Sequence, residues 1–200
     1  MAPSLESFPR PSVAVDTAVL TVVHDGRLSV LLLHGEPPRL PGTFLHEGEL
    51  LEDAVLRSLR EKAGVRGLAP RQLHVFDALD RDDRGRVLSV AHVDVVRAVA
   101  LPADAFLVAV DDMPTLAFDH DRIVAFAVDM LRDQYREMPD PAALLEGPFT
   151  LRRLRRLHEA VLGERLVPDT FRRWMLPGLV ATGELERSGR GRPAELYRRA

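Results

Sequence analysis

Two Val- and Leu-rich runs, SVAVDTAVLTVV and LSVLLLHG, flank the tetrapeptide His24-Asp25-Gly26-Arg27. Apolar runs separated by Asp-Gly predict a β-hairpin, with strands over 13–23 and 28–34. A polar GEPPRLPG loop follows, and then apolar residues recur at helical spacing. Leu51, Ala54, Val55, Leu59 and Ala63 share one face, and Gly64 is placed to cap the C-terminus. LHVFDAL and RVLSVAHVDVV read as strands around the turn DRDDRGR, and AFLVAV and TLAF as further short strands. DHDRIVAFAVDMLRDQY reads as a helix capped by Asp119 or Asp121, with Ile123, Phe126, Ala127, Met130 and Leu131 inward.

The prolines and glycine of REMPDPAALLEGP mark a junction. Beyond it Thr150 is placed to cap LRRLRRLHEAVLG, whose apolar face is Leu151, Leu154, His158 or Leu157, Val161 and Leu162, ending at Gly163. A second helix starts near Asp169 and ends or kinks at Pro177-Gly178. GELERSGRGRPAELYRR predicts two strands around a Gly/Arg tip. Phe171, Trp174 and Leu176 read as the core of this small unit.

Charge divides the chain in the same place. The formal net charge is −3, yet residues 150–200 hold 12 arginines, no lysine and only 6 acidic residues. An acidic body with an arginine-rich end suggests two tasks and two domains, 1–145 and 146–200. The chain has no cysteine, which excludes disulfides, thiol nucleophiles and Cys-based zinc sites and fits a cytoplasmic protein. No apolar run reaches membrane-spanning length, and the first residues lack the pattern of a secretory signal. No two histidines have the helical spacing of a metal pair; His46 lies nearest the candidate site in sequence and reads as a surface-loop residue.

The stretch LPGTFLHEGELLEDAVLRSLREKAGV resembles the box of the Nudix diphosphate hydrolases, G-x5-E-x7-R-E-U-x-E-E-x-G-U, with U a bulky aliphatic residue. Glu49, Arg57, Leu59, Glu61, Gly64 and Val65 match; Thr43, Ser58 and Lys62 stand where the family has glycine, glutamate and glutamate. The resemblance implies an α/β/α sandwich that grips a diphosphate through magnesium. Positions 58 and 62 lie one helical turn apart, and carboxylates there would supply the hard oxygens magnesium prefers. A neutral hydroxyl and an ammonium do not, so the box (Glu49, Arg57, Ser58, Glu61, Lys62) is degenerate and no catalytic residue, metal or cofactor is expected. Lys62 and Arg57 are then candidates to give fixed positive charge to a bound diphosphate; a solvent-facing Lys62 and an Arg57–Glu49 ion pair are the plainer readings. Arg81, Arg84 and Arg86, in the turn near the usual ligand cleft of that fold, are further ligand candidates beside the reading of an ordinary solvated turn.

The arginine-rich end resembles a winged helix-turn-helix. Arg172 and Arg173 lie near the start of the helix that would enter the major groove. Arg187, Arg190, Arg192, Arg198 and Arg199 line the expected wing, and Thr150 joins the candidate DNA-binding set. Arginine suits bidentate contacts to guanine or phosphate. At least two of Arg152, Arg153, Arg155 and Arg156 read as a solvated helix face. A degenerate Nudix box followed by Phe149-Thr150-Leu151, Phe171-Arg172-Arg173 and GRPAELYR resembles the NrtR family of Nudix-related transcriptional regulators. That resemblance implies an α+β protein: a Nudix sandwich followed by a small winged helix. It further implies a homodimeric repressor of NAD-metabolism genes that binds a palindromic double-stranded operator and senses ADP-ribose or a related nucleotide diphosphate. The alternatives are an active nucleotide-diphosphate or ADP-sugar hydrolase, or a regulator that senses a sugar or sugar phosphate.

Overall fold

The computed structural model describes residues 4, 7–186 and 193–200. Its centre is β1 (Ser12–Val22), the first arm of the expected hairpin, paired antiparallel with β2 (Leu28–Leu31). Strand β3 (Gly42–Phe44) adds to the start of β1, setting Asp16 opposite Gly42. Strands β4 (Arg71–Phe76) and β5 (Val87–Val95) form the second hairpin, and β5 runs parallel to β1 over its length. Strand β6 (Leu107–Ala109) closes the order β4-β5-β1-β2-β6.

The alternation of β1 decides which helix covers which face. Val15 and Val19 pack on α1 (Leu51–Ala63) through Ala54, Val55 and Leu59. Ala18 and Leu20 pack on α2 (His120–Glu137) through Ile123, Val124, Ala127, Val128 and Leu131. Asp16 shares the α2 face, so a carboxylate enters at the end of an apolar layer. Gly64 adopts the left-handed conformation (φ 66°) and donates to the Leu59 carbonyl, ending α1 as its sequence requires.

The second unit has its own core of Phe149, Leu154, Phe171, Met175 and Tyr197. These come from β7 (Phe149–Thr150), α3 (Leu151–Leu162), α4 (Pro168–Met175) and β9 (Ala194–Arg199), which pairs with β8 (Leu179–Glu186). Helix α3 serves two cores at once: Leu154 belongs to this one, whereas Leu157 and Val161 are buried with the α2 layer of the first unit. Leu145, at the expected boundary, packs on both.

Three expectations need correction. Thr115-Leu116-Ala117-Phe118 is not a strand but a loop running into α2. Phe126 is exposed against His74 and Phe76, and Val124 and Val128 fill the inward positions, because the buried stripe of α2 is rotated from the one expected. Trp174 is 65% exposed rather than core; Phe171 and Met175 alone take the inner face of the eight-residue α4. The proline–glycine pair does end that helix, in a short 3-10 turn (Leu176–Gly178).

Candidate ligand cleft and nucleic-acid interface

A cleft of about 370 Å³ opens where β1, β3, the end of α1, the β4–β5 turn and the start of α2 meet. Its floor is a buried charge network. The Asp16 carboxylate accepts from Ser89 Oγ at 2.6 Å and from Arg81 Nη2 at 3.4 Å, and His120 Nε2 lies 3.3 Å away. His120 Nδ1 accepts the Leu40 N–H at 2.9 Å, which leaves the ring proton on Nε2, directed at Asp16. Arg81 also grips Asp119 with two bonds of 2.7 and 3.2 Å. Burial alone would raise the Asp16 pKa, but His120, Ser89 and Arg81 outweigh it and hold the carboxyl below its usual range.

Gly42 is where two backbone paths cross. A Cβ there would stand 1.9 Å from Asp16 Oδ1, so no other residue fits while the cleft keeps this shape. The Gly42 carbonyl accepts from Lys62 Nζ, which brings the ammonium to the cleft wall. Burial, with Arg39 and Arg57 nearby, lowers the Lys62 pKa; Asp16 and Glu61 act the other way. Arg39 lines the same wall, and neither it nor Lys62 has an acid within salt-bridge distance among the described residues. Lys62 is the single lysine in the chain, beside 26 arginines.

The other box residues are engaged elsewhere. Arg57 binds Glu49 through Nε at 2.7 Å and Nη2 at 2.8 Å, and also reaches Thr43 Oγ1 and the Phe44 carbonyl. It staples β3 and the loop that follows it to α1, and its hydrogen bonds bring the Glu49 pKa down to about 2. Ser58 is buried with no hydrogen-bond partner for its hydroxyl among the described residues, and Glu61 is exposed beside Arg60. A buried lone hydroxyl and an ammonium are a poor donor set for a divalent cation, and among the described residues no group of three His, Asp or Glu is disposed to hold one.

The DRDDRGR segment is more than a solvated turn. Arg81 and Asp82 are buried, and Asp82 is clasped by Arg84 at 2.6 and 2.8 Å, which lowers its pKa to about 2. Of the five ligand candidates, Lys62, Arg81 and Arg84 line the cleft. Arg57 does not, and Arg86 is spent on the carbonyls of Asp77 and Ala78. Asp16, Arg39, Asp82, His120 and two phenylalanines, Phe44 and Phe118, line it without having been singled out. Asp16 alone had a legible signal, an acid inside an apolar strand.

In the second unit, Arg172, Arg173 and Trp174 are exposed on α4, and Arg198 is exposed on β9. Thr150 is buried, its hydroxyl accepting from the Arg153 N–H to cap α3, so it is not exposed for contact with DNA. Arg199 faces inward, onto Asp140 and the Phe149 ring, instead of lining a wing. Arg155 is tied to Glu159 and the Leu166 carbonyl, whereas Arg152, Arg153 and Arg156 are exposed. Arg187, Arg190 and Arg192 lie outside the described residues.

Comparison with known proteins matches residues 15–131 to the NUDIX domain and residues 141–199 to the NrtR DNA-binding winged helix domain. An ADP-ribose pyrophosphatase of Methanocaldococcus jannaschii is 32% identical over 123 residues, 57% of this chain and 71% of that protein. The crystal structure of Shewanella oneidensis NrtR complexed with a 27mer DNA superposes with a TM-score of 0.75 at 32% identity, covering 94% of this chain and 93% of that one. The NUDIX domain of the same NrtR, in a cocrystal with ADP ribose, superposes at 0.56 with 31% identity over 64% of this chain and 94% of that one.

Proposed function

The chain belongs to the NrtR family, a Nudix domain joined to a winged helix, and from that premise we infer that it is a DNA-binding transcriptional regulator whose cleft senses ADP-ribose or a related nucleotide diphosphate. The observation that carries the ligand assignment is Lys62. Its ammonium enters the cleft at a box position where a carboxylate would hold magnesium, and Arg39 stands beside it without an acidic partner among the described residues. Two such cations favour a diphosphate directly. The same substitution removes the metal chemistry, so the protein binds the diphosphate without cleaving it. Arg57 acts on the cleft indirectly, by fixing the end of β3 that carries Phe44.

DNA contact falls to Arg172 and Arg173 on α4 and to Arg198 on β9, with Arg187, Arg190 and Arg192 as further candidates from the sequence. The protein acts as a homodimeric repressor of NAD-metabolism genes on a palindromic operator, each winged helix taking a half-site. The route between the two sites is α2. Its first residue, His120, and its N-cap Asp119 belong to the cleft floor, and its last turn carries Tyr135, whose hydroxyl donates to Asp140 at 2.9 Å. Asp140 in turn holds Arg199 of the winged helix. A ligand that moves the start of α2 thus acts on the seat of the DNA-binding unit. Tenfold release needs only about 1.4 kcal/mol of coupling.

A gel shift on the gene's own upstream region, with and without ADP-ribose, tests the proposal. Retardation relieved by ADP-ribose supports it; a protein that retards no DNA at low salt is not this regulator. Mass-spectrometric detection of AMP after incubation with ADP-ribose and magnesium or manganese tests the non-hydrolytic reading. Turnover that disappears in Glu61→Gln would replace it with an enzyme.

A further inference from the structure

A second cavity, of about 790 Å³, opens where the end of α2, α3 and α4 meet, and it shares no residue with the cleft. Its size is that of a small-molecule site. Both units wall it: Tyr135 comes from α2, Leu162 from α3, Leu166 from the turn that follows, and Phe171 and Met175 from α4. Val167, Thr170, Phe171 and Trp174 recur at helical spacing and turn one face of α4 to the cavity. Arg172 and Arg173 fall on the other side of that helix, so the cavity and the DNA contacts use different faces. Val167 and Trp174 stand exposed at the opening, two large apolar side chains beside an apolar wall.

Polar groups stand at both ends of this apolar space. His158 borders it from within, fully buried, and its Nδ1 has no hydrogen-bond partner among the described residues. The other ring nitrogen, Nε2, accepts from the Asp140 N–H at 3.3 Å, so the neutral ring carries its proton on Nδ1. The Tyr135 carbonyl lies near enough to favour the charged ring without making that hydrogen bond. Buried N–H groups rarely go without an acceptor. At the opening, Arg136 and Arg165 face a single acid of the lining, Glu164. Asp133 holds Arg136 at 2.6 Å, but Arg165 reaches only Glu159, at 4.0 Å, and Glu159 is already bound by Arg155 at 2.8 Å. With its side chain 96% exposed, Arg165 is free to close over an anion.

We propose that this cavity is a second ligand site, which takes a small aromatic hydroxy acid. The ring lies against Trp174 and Leu166, the hydroxyl oxygen accepts from His158 Nδ1 at the inner end, and the carboxylate pairs with Arg165 at the opening. A sugar or a nucleotide lacks the apolar body that this wall requires. The site is separate from the diphosphate cleft, and its occupant bears on the helix that carries Arg172 and Arg173.

Titration calorimetry of the full chain with para-hydroxyphenylpropanoate, with phenylpropanoate and with the amide of the hydroxy acid tests it, on wild type, Thr170→Phe and Arg165→Ala. Fluorescence of Trp174, the single tryptophan, gives a local second readout. The hydroxy acid should bind wild type and change that fluorescence saturably. Loss of the hydroxyl should weaken binding about two- to tenfold, the range for one hydrogen bond. Loss of the charge in the amide should weaken it about two- to fivefold, as for an exposed ion pair. Arg165→Ala should bring the acid to the level of the amide and leave the amide unchanged. Thr170→Phe fills the cavity from a half-buried position on α4 and should lose all three ligands. Both variants should keep the ADP-ribose affinity of wild type. No binding of the hydroxy acid to wild type, equal affinity for the three ligands, or full binding in Thr170→Phe overturns the proposal. Fluorescence that follows protein concentration and not ligand would give the cavity to a second copy of the chain, and overturns it too.

Discussion

Arg199, on the last strand of the chain, places Nη1 2.5 Å from the carboxylate of Asp140, which has no exposed surface. The same carboxylate accepts from Tyr135 Oη and from the N–H groups of Leu144 and Leu145 at 2.9 Å each, and the Asp140 N–H donates to His158 Nε2 at 3.3 Å. One buried acid thus joins the end of α2, the connecting segment, α3 and β9. Removing the acid at the centre of such a buried charged network costs about 3–5 kcal/mol. Asp140→Ala should show a destabilisation of that order in thermal unfolding. Arg199→Ala leaves Asp140 three donors and should cost about 1.5–3 kcal/mol, the range for a hydrogen bond to a charged group. It should retain both ligands while the effect of ADP-ribose on operator affinity shrinks, measured by gel shifts with and without effector.

His158 makes stability depend on pH. Burial lowers its pKa from 6.5 to about 4, because a charged ring would sit between Tyr135 and Phe171 and lose its role as acceptor. The unfolded chain then binds the proton more readily, so this contribution is complete above pH 6.5 and is lost as pH falls toward 4. About 3 kcal/mol is at stake, from a shift of this size. Melting temperature followed over that range should fall in wild type and change less in His158→Gln.

A second acid transition is expected below it. Glu49 is held down to about 2 from 4.5, chiefly by Arg57, and Asp82 to about 2 from 3.8, chiefly by Arg84. Depressed carboxylates stabilise above their unfolded pKa and lose that contribution as pH drops through the folded value. Glu49→Gln should flatten the acid limb of the stability curve between pH 4.5 and 2.

Lys62→Ala should weaken ADP-ribose binding about tenfold in magnesium-free buffer, the effect of losing roughly 1.4 kcal/mol of charge–diphosphate attraction, and Lys62→Glu should weaken it further. Calorimetry with excess chelator reads both. Binding that is insensitive to either change would remove Lys62 from the site.

Gly42→Ala places a methyl group on Asp16 Oδ1 and forces the floor apart. A stability loss of about 1–3 kcal/mol is expected, as for other overpacked positions, with the cleft closed to ligand. Unfolding curves and ligand titration check the two effects separately.

Trp174 is the single tryptophan and lies exposed on α4 beside Arg173. Its fluorescence should change on addition of operator DNA. Arg172→Ala with Arg173→Ala should reduce the slope of log affinity against log salt by about 0.9 for each phosphate contact removed.

The sequence carried much of the first unit's architecture because local rules agreed along it. Asp-Gly fixed the hairpin, the spacing of Ala54, Val55 and Leu59 fixed α1, and Gly64 ended it. The cleft was legible at Lys62, where a box supplied a register, and at Arg81 and Arg84, in the turn near the usual ligand cleft of the fold. Arg57 pairs with Glu49, its plainer reading, while Arg86, another ligand candidate, is consumed by the carbonyls of Asp77 and Ala78, since a guanidinium takes whatever acceptors the fold brings near. Phe118 could not be foreseen, because its exposure follows from a left-handed backbone set by Pro38 and Arg81, far away in sequence.

By itself, then, the sequence determined the elements and the chemical character of the two units: hydrophobic period, turn residues and charge distribution are local properties. Tertiary structure decided which charges face a ligand and which are neutralised, and that α3 is shared between two cores. Those outcomes depend on partners from distant segments, as with Asp16 and His120 or Asp140 and Arg199. Electrostatics at short range is set by geometry that no single stretch of chain contains.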